Sequence, residues 1–168
     1  FAGTRVAITG AGRGVGRGVA EAFAAAGAQV MLGARTLSYA EDAVAAIRAA
    51  GGEAIACTAS VTTPEGGEEI VGAALSTWGR VDIVINNAGN SFRSPFEDFT
   101  YADFKHSLDI HLMGAFNVVR PAFPVMGKAG YGRVVRASDG SVTAIVEERD
   151  ADDETRFQDL AEHDDEDG

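Results

Sequence analysis

The stretch Thr9-Gly10-Ala11-Gly12-Arg13-Gly14-Val15-Gly16 follows the apolar run Arg5–Thr9 and opens a segment of helical periodicity. Glycines at this spacing after a strand let the backbone turn sharply and approach a pyrophosphate without Cβ collisions. The first N–H groups of the following helix then point at the anion. The chemistry on offer is phosphate binding. A glycine-rich turn that only packs a helix onto a sheet would leave a similar pattern, so context has to decide between them. That context is a second apolar run, Val81–Ile85, ending in Asn86-Asn87-Ala88-Gly89. Two arginines add to it: Arg13 inside the glycine loop, and Arg35 after the run Ala28–Gly33. A guanidinium fork can hold a phosphate bidentately, and the plainer alternative is a pair of solvated surface arginines.

Taken together and in this order, the two segments resemble the short-chain dehydrogenase/reductase family. Its glycine motif, Thr-Gly-x-x-x-Gly-x-Gly, is matched at Thr9, Gly10, Gly14 and Gly16, and its Asn-Asn-Ala-Gly signature at 86 to 89. The resemblance runs from about residue 3 to about residue 141. It implies a Rossmann-like dinucleotide-binding domain over 1–141 that lacks the C-terminal part of the family fold. The implied cofactor contacts are Gly10, Arg13, Gly14, Val15 and Gly16 on the loop and Arg35 after strand two. Ser60 and Val61 after strand three, and Asn87, Ala88 and Gly89 after strand four, complete the set. A ribose 2'-hydroxyl is usually held by an acid at the end of strand two, whereas a 2'-phosphate needs cations there. The end of strand two reads Gly33-Ala34-Arg35-Thr36, with no acid. NADP is therefore the expected cofactor, with NAD less favoured, and no metal is expected.

The family's hydride transfer uses a Tyr as general acid/base, a Lys four residues later, a Ser that orients the carbonyl, and an Asn on the long helix. By the same alignment His111 stands at the Asn position, as in the hydroxyacyl-CoA dehydrogenase members, or is simply a helix histidine bonded to a backbone carbonyl. The Ser position falls on Asp139, next to Ser138, where Asp139-Gly140 is also an ordinary turn pair. The Tyr and Lys positions hold Asp152 and Arg156; no Tyr follows Tyr131 and no Lys follows Lys128. Asp has the wrong pKa for this proton transfer and Arg is too basic. No catalytic residue is assigned. Three readings stay open: a shortened or frame-shifted reductase, inactive or very weak; a non-catalytic dinucleotide-binding module with an acidic interaction tail; and an enzyme rebuilt around His111 and Asp139. If there is turnover, the substrate is a small carbonyl or alcohol.

The elements that must position these residues alternate. Helical spacing at Val15, Val19, Phe23 and Ala26 ends at Gly27. A second helix starts with Ser38 as its N-cap, carries Val44 and Ile47, and closes at Gly51-Gly52. After the buried strand Ala54–Thr58, Pro64 opens a third helix whose inner stripe is Ile70, Val71, Ala74, Leu75 and Trp78. A longer helix is predicted from Thr100 to about Met126, with Phe104, Leu108, Leu112, Phe116 and Val119 facing inward and a kink at Pro121. A fifth strand follows at about 130–138. The pattern predicts an α/β, doubly wound parallel sheet in the order 3-2-1-4-5 with right-handed crossovers.

The net charge of -11 argues against nucleic acid as a partner, but the charge is unevenly placed. Residues 147–168 hold twelve Asp/Glu against two Arg, so ten of the eleven excess negative charges lie there. Residues 142–168 are expected to form an acidic tail, with Val142–Val146 as one more short strand and the rest disordered or a frayed helix around 155–162. Cys57 is the only cysteine and reads as a buried, inert thiol in a reducing compartment. With no run of roughly twenty apolar residues and no basic-then-apolar leader, the expectation is a cytoplasmic protein that does not enter membranes. The start at Phe1 rather than Met suggests preceding residues. Without the family's last strands and helix, the fifth strand would be a sheet edge and the long helix would lose its usual neighbour. The chain is therefore expected to be marginally stable or to self-associate as a homo-oligomer.

Overall fold

The computed structural model describes residues 1–92 and 94–126 in full, together with the backbone strands Arg133–Arg136 and Val142–Val146. The chain divides into two units, Phe1–Met126 and Gly127–Gly168.

The first unit alternates strand and helix: β1 Arg5–Thr9, α1 Gly14–Ala25, β2 Gln29–Ala34, α2 Leu37–Ala49, β3 Glu53–Thr58, α3 Pro64–Trp78 and β4 Ile83–Ile85. All four strands are parallel, in the order β3-β2-β1-β4. Alternation along β1 explains the layering. Val6 and Ile8 pack with the α1 and α2 residues Ala20, Ala24, Val44 and Ile47, while Ala7 points to the other face, where Ile70, Val71 and Ala74 of α3 lie. Both faces are covered, which is what a parallel sheet requires.

Local chemistry sets the helix ends. The Thr63 hydroxyl accepts from Gly66 N–H at 3.2 Å with Pro64 at the first turn, and Gly79 ends α3 at φ +73°. Thr36, not Ser38, is the N-cap residue of α2, and it makes no side-chain capping bond. On α1 the buried residues are Gly16, Ala20 and Ala24, while Val15 is 77 % exposed, so the inner face lies one position beyond the valine spacing.

The long helix departs most from expectation. It consists of α4 Tyr101–Leu108, a π turn at Asp109–Met113 and α5 Gly114–Met126, with Pro121 and Pro124 inside α5. Thr100 and Asp103 close a capping box at its start, and the hydrogen bonds from Thr100 hold the Asp103 carboxyl below the usual carboxylate range. The stripe expected to face inward is exposed: Phe104 at 51 %, Leu112 at 64 % and Phe116 at 57 %, with Leu108 and Val119 also out. The buried positions are Ile110, Gly114, Asn117, Val118 and Ala122, against α3. A π turn adds a residue to one turn and so rotates the faces that follow it. The buried residues are also small, and close helix approach needs small residues rather than large apolar ones.

In the second unit, β5 Arg133–Arg136 pairs antiparallel with β6 Val142–Val146 in its own two-stranded sheet. The strand expected beside β4 therefore pairs locally instead, and the ribbon straddles the boundary expected at residue 141. A strand only a few residues along the chain is the cheaper partner to reach. The stretch 147–168 lies outside the described residues.

Gly67 and Gly72 separate packing from propensity within one helix. A Cβ on Gly67 would collide with the Asn117 carbonyl of α5, whereas one on Gly72 meets nothing within 4 Å. Urea unfolding should show Gly67→Ala destabilised by roughly 1–3 kcal/mol. Gly72→Ala should be neutral or stabilised by up to about 1 kcal/mol; equal effects would contradict the close α3–α5 approach.

Candidate functional site

The ends of β1 and β4 are tied together by one hydroxyl and one amide. Thr9 Oγ1 accepts from Asn87 N–H at 3.0 Å and from Ala88 N–H at 2.9 Å. In return, Asn87 Nδ2 donates to the Thr9 carbonyl at 2.9 Å and to the Gly10 carbonyl at 3.2 Å. The Asn87 amide is therefore committed to holding the glycine bend. Gly10 sits at φ +65°, where an added Cβ would lie 2.9 Å from Ala88 Cα. A Cβ on Gly16 would collide with Asn87 Nδ2 and with the Gly10 carbonyl. Both positions must be glycine because two strand ends and a helix start converge there.

Helix α1 then begins at Gly14 with Arg13 at its N-cap, extended at φ -158° and ψ 171°. No side chain caps it and no acid sits in its first turn, so its leading N–H groups remain available to an anion.

These elements wall a cleft of about 330 Å³. Every residue expected to contact a cofactor lines it. Gly10, Arg13, Gly14, Val15 and Gly16 form one wall, and Arg35 lies at the end of β2. Ser60 and Val61 come from the β3–α3 loop, and Asn87, Ala88 and Gly89 from the end of β4. Sequence reading missed Gly12, Thr36, Tyr39, Thr62 and Ile110, which line it too. The motif treats Gly12 as an unconstrained position, although a Cβ there would sit 2.9 Å from Tyr39 Cβ. Ser60 and Thr62 share a hydroxyl–hydroxyl bond of 2.8 Å. The buried Asn117 Nδ2 donates to the Val61 carbonyl at 2.9 Å, so α5 anchors the loop that forms the far wall.

The electrostatics of the cleft are one-sided. No Asp or Glu is among its lining residues. The ion pairs of the described residues are Arg17–Glu21, Arg80–Asp82 and Lys105–Asp109, so Arg13 and Arg35 stand exposed with no carboxylate partner among those residues.

His111 lies in the π turn and lines not the cleft itself but an adjoining cavity of about 100 Å³, with Thr9, Asn86 and Asn87. Its Nε2 is 3.0 Å from the Asn90 carbonyl, 3.1 Å from Asn90 Oδ1 and 3.2 Å from Asn90 N. The proton on Nε2 decides which of these bonds forms. A Cβ on Gly89 would stand 2.7 Å from His111 Cε1, so the last glycine of the signature makes room for this ring. Of the two sequence readings, a histidine bonded to backbone accounts for the contacts seen. Ser138, Asp139, Asp152 and Arg156 lie outside the described residues. Cys57 is only partly buried rather than buried as expected; that burial, with Glu69 next in effect, pushes its thiol up. No cluster of metal-ligating side chains occurs among the described residues. No helix among them is long and apolar enough to cross a membrane.

The short chain dehydrogenase family model matches residues 4–147. The chain belongs to the short-chain dehydrogenase/reductase family of oxidoreductases. It is 40 % identical over 150 residues to the mouse peroxisomal multifunctional enzyme type 2, covering 84 % of this chain and 20 % of that protein. A crystal structure of hydroxysteroid dehydrogenase from Escherichia coli superposes with a TM-score of 0.73 at 35 % identity, covering 77 % of this chain and 55 % of the other. The 3-ketoacyl-(acyl-carrier-protein) reductase from Brucella melitensis, solved with NADH, gives 0.72 at 32 % identity, covering 77 % and 52 %. The chain thus spans a fifth of the mouse protein and about half of each solved chain.

Thr9→Val keeps the shape of the tie and removes its acceptor, leaving two backbone N–H groups without a partner. The expected loss is about 1–3 kcal/mol in chemical denaturation, whereas Thr9→Ser should stay within about 1 kcal/mol of the parent. A Val variant as stable as the parent would show that the hydroxyl is not what joins β1 to β4.

Proposed function

We propose that this chain binds a nicotinamide dinucleotide with its pyrophosphate on the Gly10–Gly16 bend and the α1 N-terminus, and that it prefers NADP to NAD. The observation that carries the reading is the pair of uncompensated arginines, Arg13 and Arg35, on a cleft without a carboxylate. A 2'-phosphate would complete their charge; a ribose diol would find no acid to accept its hydrogen bonds. The cleft fits the group on its own terms, since the glycine positions leave the space a Cβ would fill and the helix start lacks a side-chain acceptor.

A bound nicotinamide would supply the hydride acceptor or donor for a carbonyl/hydroxyl interconversion, the chemistry of the family. The chain's own residues in this scheme bind and orient. Gly10, Gly14, Val15 and Gly16 present backbone to the phosphates, Ser60 and Val61 border the adenine side, and Asn87, Ala88 and Gly89 set the floor toward the nicotinamide. The positions where the family resemblance puts the Tyr-x-x-x-Lys pair hold Asp152 and Arg156, and the Tyr101-x-x-x-Lys105 spacing falls instead at the start of α4, so we propose binding without efficient turnover. Should the chain turn over at all, we propose a small carbonyl or alcohol as its substrate. The 142–168 segment is proposed as an acidic tail whose first strand, Val142–Val146, pairs back onto Arg133–Arg136. A reducing compartment, the cytoplasm by default, is our reading of the single Cys57.

Titration calorimetry tests this. NADPH should bind at least about tenfold more tightly than NADH, and Arg35→Ala should erase most of the difference, since a charge-assisted bond contributes about 1.5–3 kcal/mol. No turnover should appear with ketones, aldehydes or 3-ketoacyl thioesters. Tighter NADH binding would overturn the cofactor assignment, and turnover abolished by His111→Ala would restore a catalytic reading.

We further propose that the exposed apolar stripe of α4–α5 drives self-association. Sedimentation equilibrium should show a concentration-dependent mass that Leu112→Lys shifts toward monomer. A parent chain that is monomeric at every concentration would contradict this.

A further inference from the structure

Tyr39 lies in the first turns of α2, half-exposed, on the wall of the cleft next to Arg35 and Thr36. It reaches the glycine loop because Gly12 has no side chain: an added Cβ would be 2.9 Å from Tyr39 Cβ and 3.3 Å from Ala34 Cβ. The Arg13 guanidinium lies over the Tyr39 ring, its Cζ 5.4 Å from the centroid. Arg13 has no ion pair among the described residues. The ring face is the contact that the structure gives this otherwise solvated guanidinium.

A flexible arginine loses rotamer freedom when it captures a phosphate, and a group that already holds it in place reduces that loss. A ring face attracts the cation without neutralising it, so the guanidinium edge stays free to donate. A carboxylate in the same place would compete with the phosphate for that edge.

We propose that Tyr39 is a positioning residue for Arg13, holding its guanidinium at the lip of the cleft so that a 2'-phosphate meets a preset cation. This rests on the NADP reading above and goes further, placing part of the 2'-phosphate selectivity on an aromatic side chain outside the glycine motif. Gly12 is its counterpart, since the space left there brings loop and ring together.

The test uses the whole chain with adenosine 2',5'-bisphosphate and 5'-AMP as calorimetric ligands, which isolates the extra phosphate from the nicotinamide and from turnover. The parent should prefer the bisphosphate. Tyr39→Leu, which keeps bulk beside Gly12 but has no ring face, should lower that preference about two- to fivefold, the range of an exposed cation–π contact. Any loss of affinity for 5'-AMP should be smaller than the loss for the bisphosphate. Tyr39→Phe should match the parent, and in an Arg13→Ala background Tyr39→Leu should have no further effect. Equal loss for both ligands, a Phe variant as impaired as Leu, or an undiminished effect without Arg13 would each overturn the proposal. A parent with no preference for the bisphosphate would instead overturn the NADP reading. Thermal unfolding of each variant identifies any that lose the fold, and should Tyr39→Leu be among them, Tyr39→Met takes its place with the same expected outcomes.

Discussion

The contact on which the rest of the first unit depends is the exchange between Thr9 and Asn87. One hydroxyl accepts two backbone N–H groups from the end of β4, and one amide donates to two carbonyls at the end of β1. Four hydrogen bonds across a sequence separation of nearly eighty residues satisfy backbone groups that neither strand could satisfy alone. They also fix the distance between the glycine bend and the Asn-Asn-Ala-Gly turn. The two motifs are halves of one construction, which is why Gly16, seven residues from Thr9, must be glycine to clear the Asn87 amide.

A second tier of contacts holds the far wall. Asn117 on α5 bonds the Val61 carbonyl, and the Ser60 carbonyl occupies the space that a side chain on Gly66 would fill. The long helix thus reaches the cleft directly at Ile110 and indirectly through the β3–α3 loop. The described side chains line the cleft proposed to bind the dinucleotide, whereas the positions at which the family resemblance puts proton transfer hold other residue types. Affinity and turnover are separable in such a fold because the phosphate site is built mainly from backbone geometry while proton transfer is built from side chains.

Much of this was legible in the sequence. Glycine spacing after an apolar strand gave the cleft, because backbone geometry that excludes Cβ leaves a residue-level trace. The order β3-β2-β1-β4 followed from alternating strand and helix patterns. Orientation of the long helix did not, since Phe104, Leu112 and Phe116 carry the strong apolar signal yet lie exposed, while the packed face is built of Gly114, Asn117 and Ala122. Hydrophobic periodicity locates a stripe but does not say what covers it, and a π turn shifts its phase. The pairing of Arg133–Arg136 with Val142–Val146 was hidden for a different reason: a family pattern favoured a distant neighbour where a strand only a few residues along the chain offered a near one. Tyr39 escaped notice because its role depends on a gap at Gly12, and a gap is legible only once both backbones are in place.

The most direct measurement of the central claim, that a glycine bend tied to the end of β4 forms a phosphate-binding cleft, is amide hydrogen exchange of the whole chain with and without NADPH. The account predicts added protection confined to residues 10–16, 34–39, 59–62 and 86–90, and strongest at the start of α1. Protection that leaves the 10–16 segment unchanged, in a sample shown to be folded and saturated with NADPH, would contradict it.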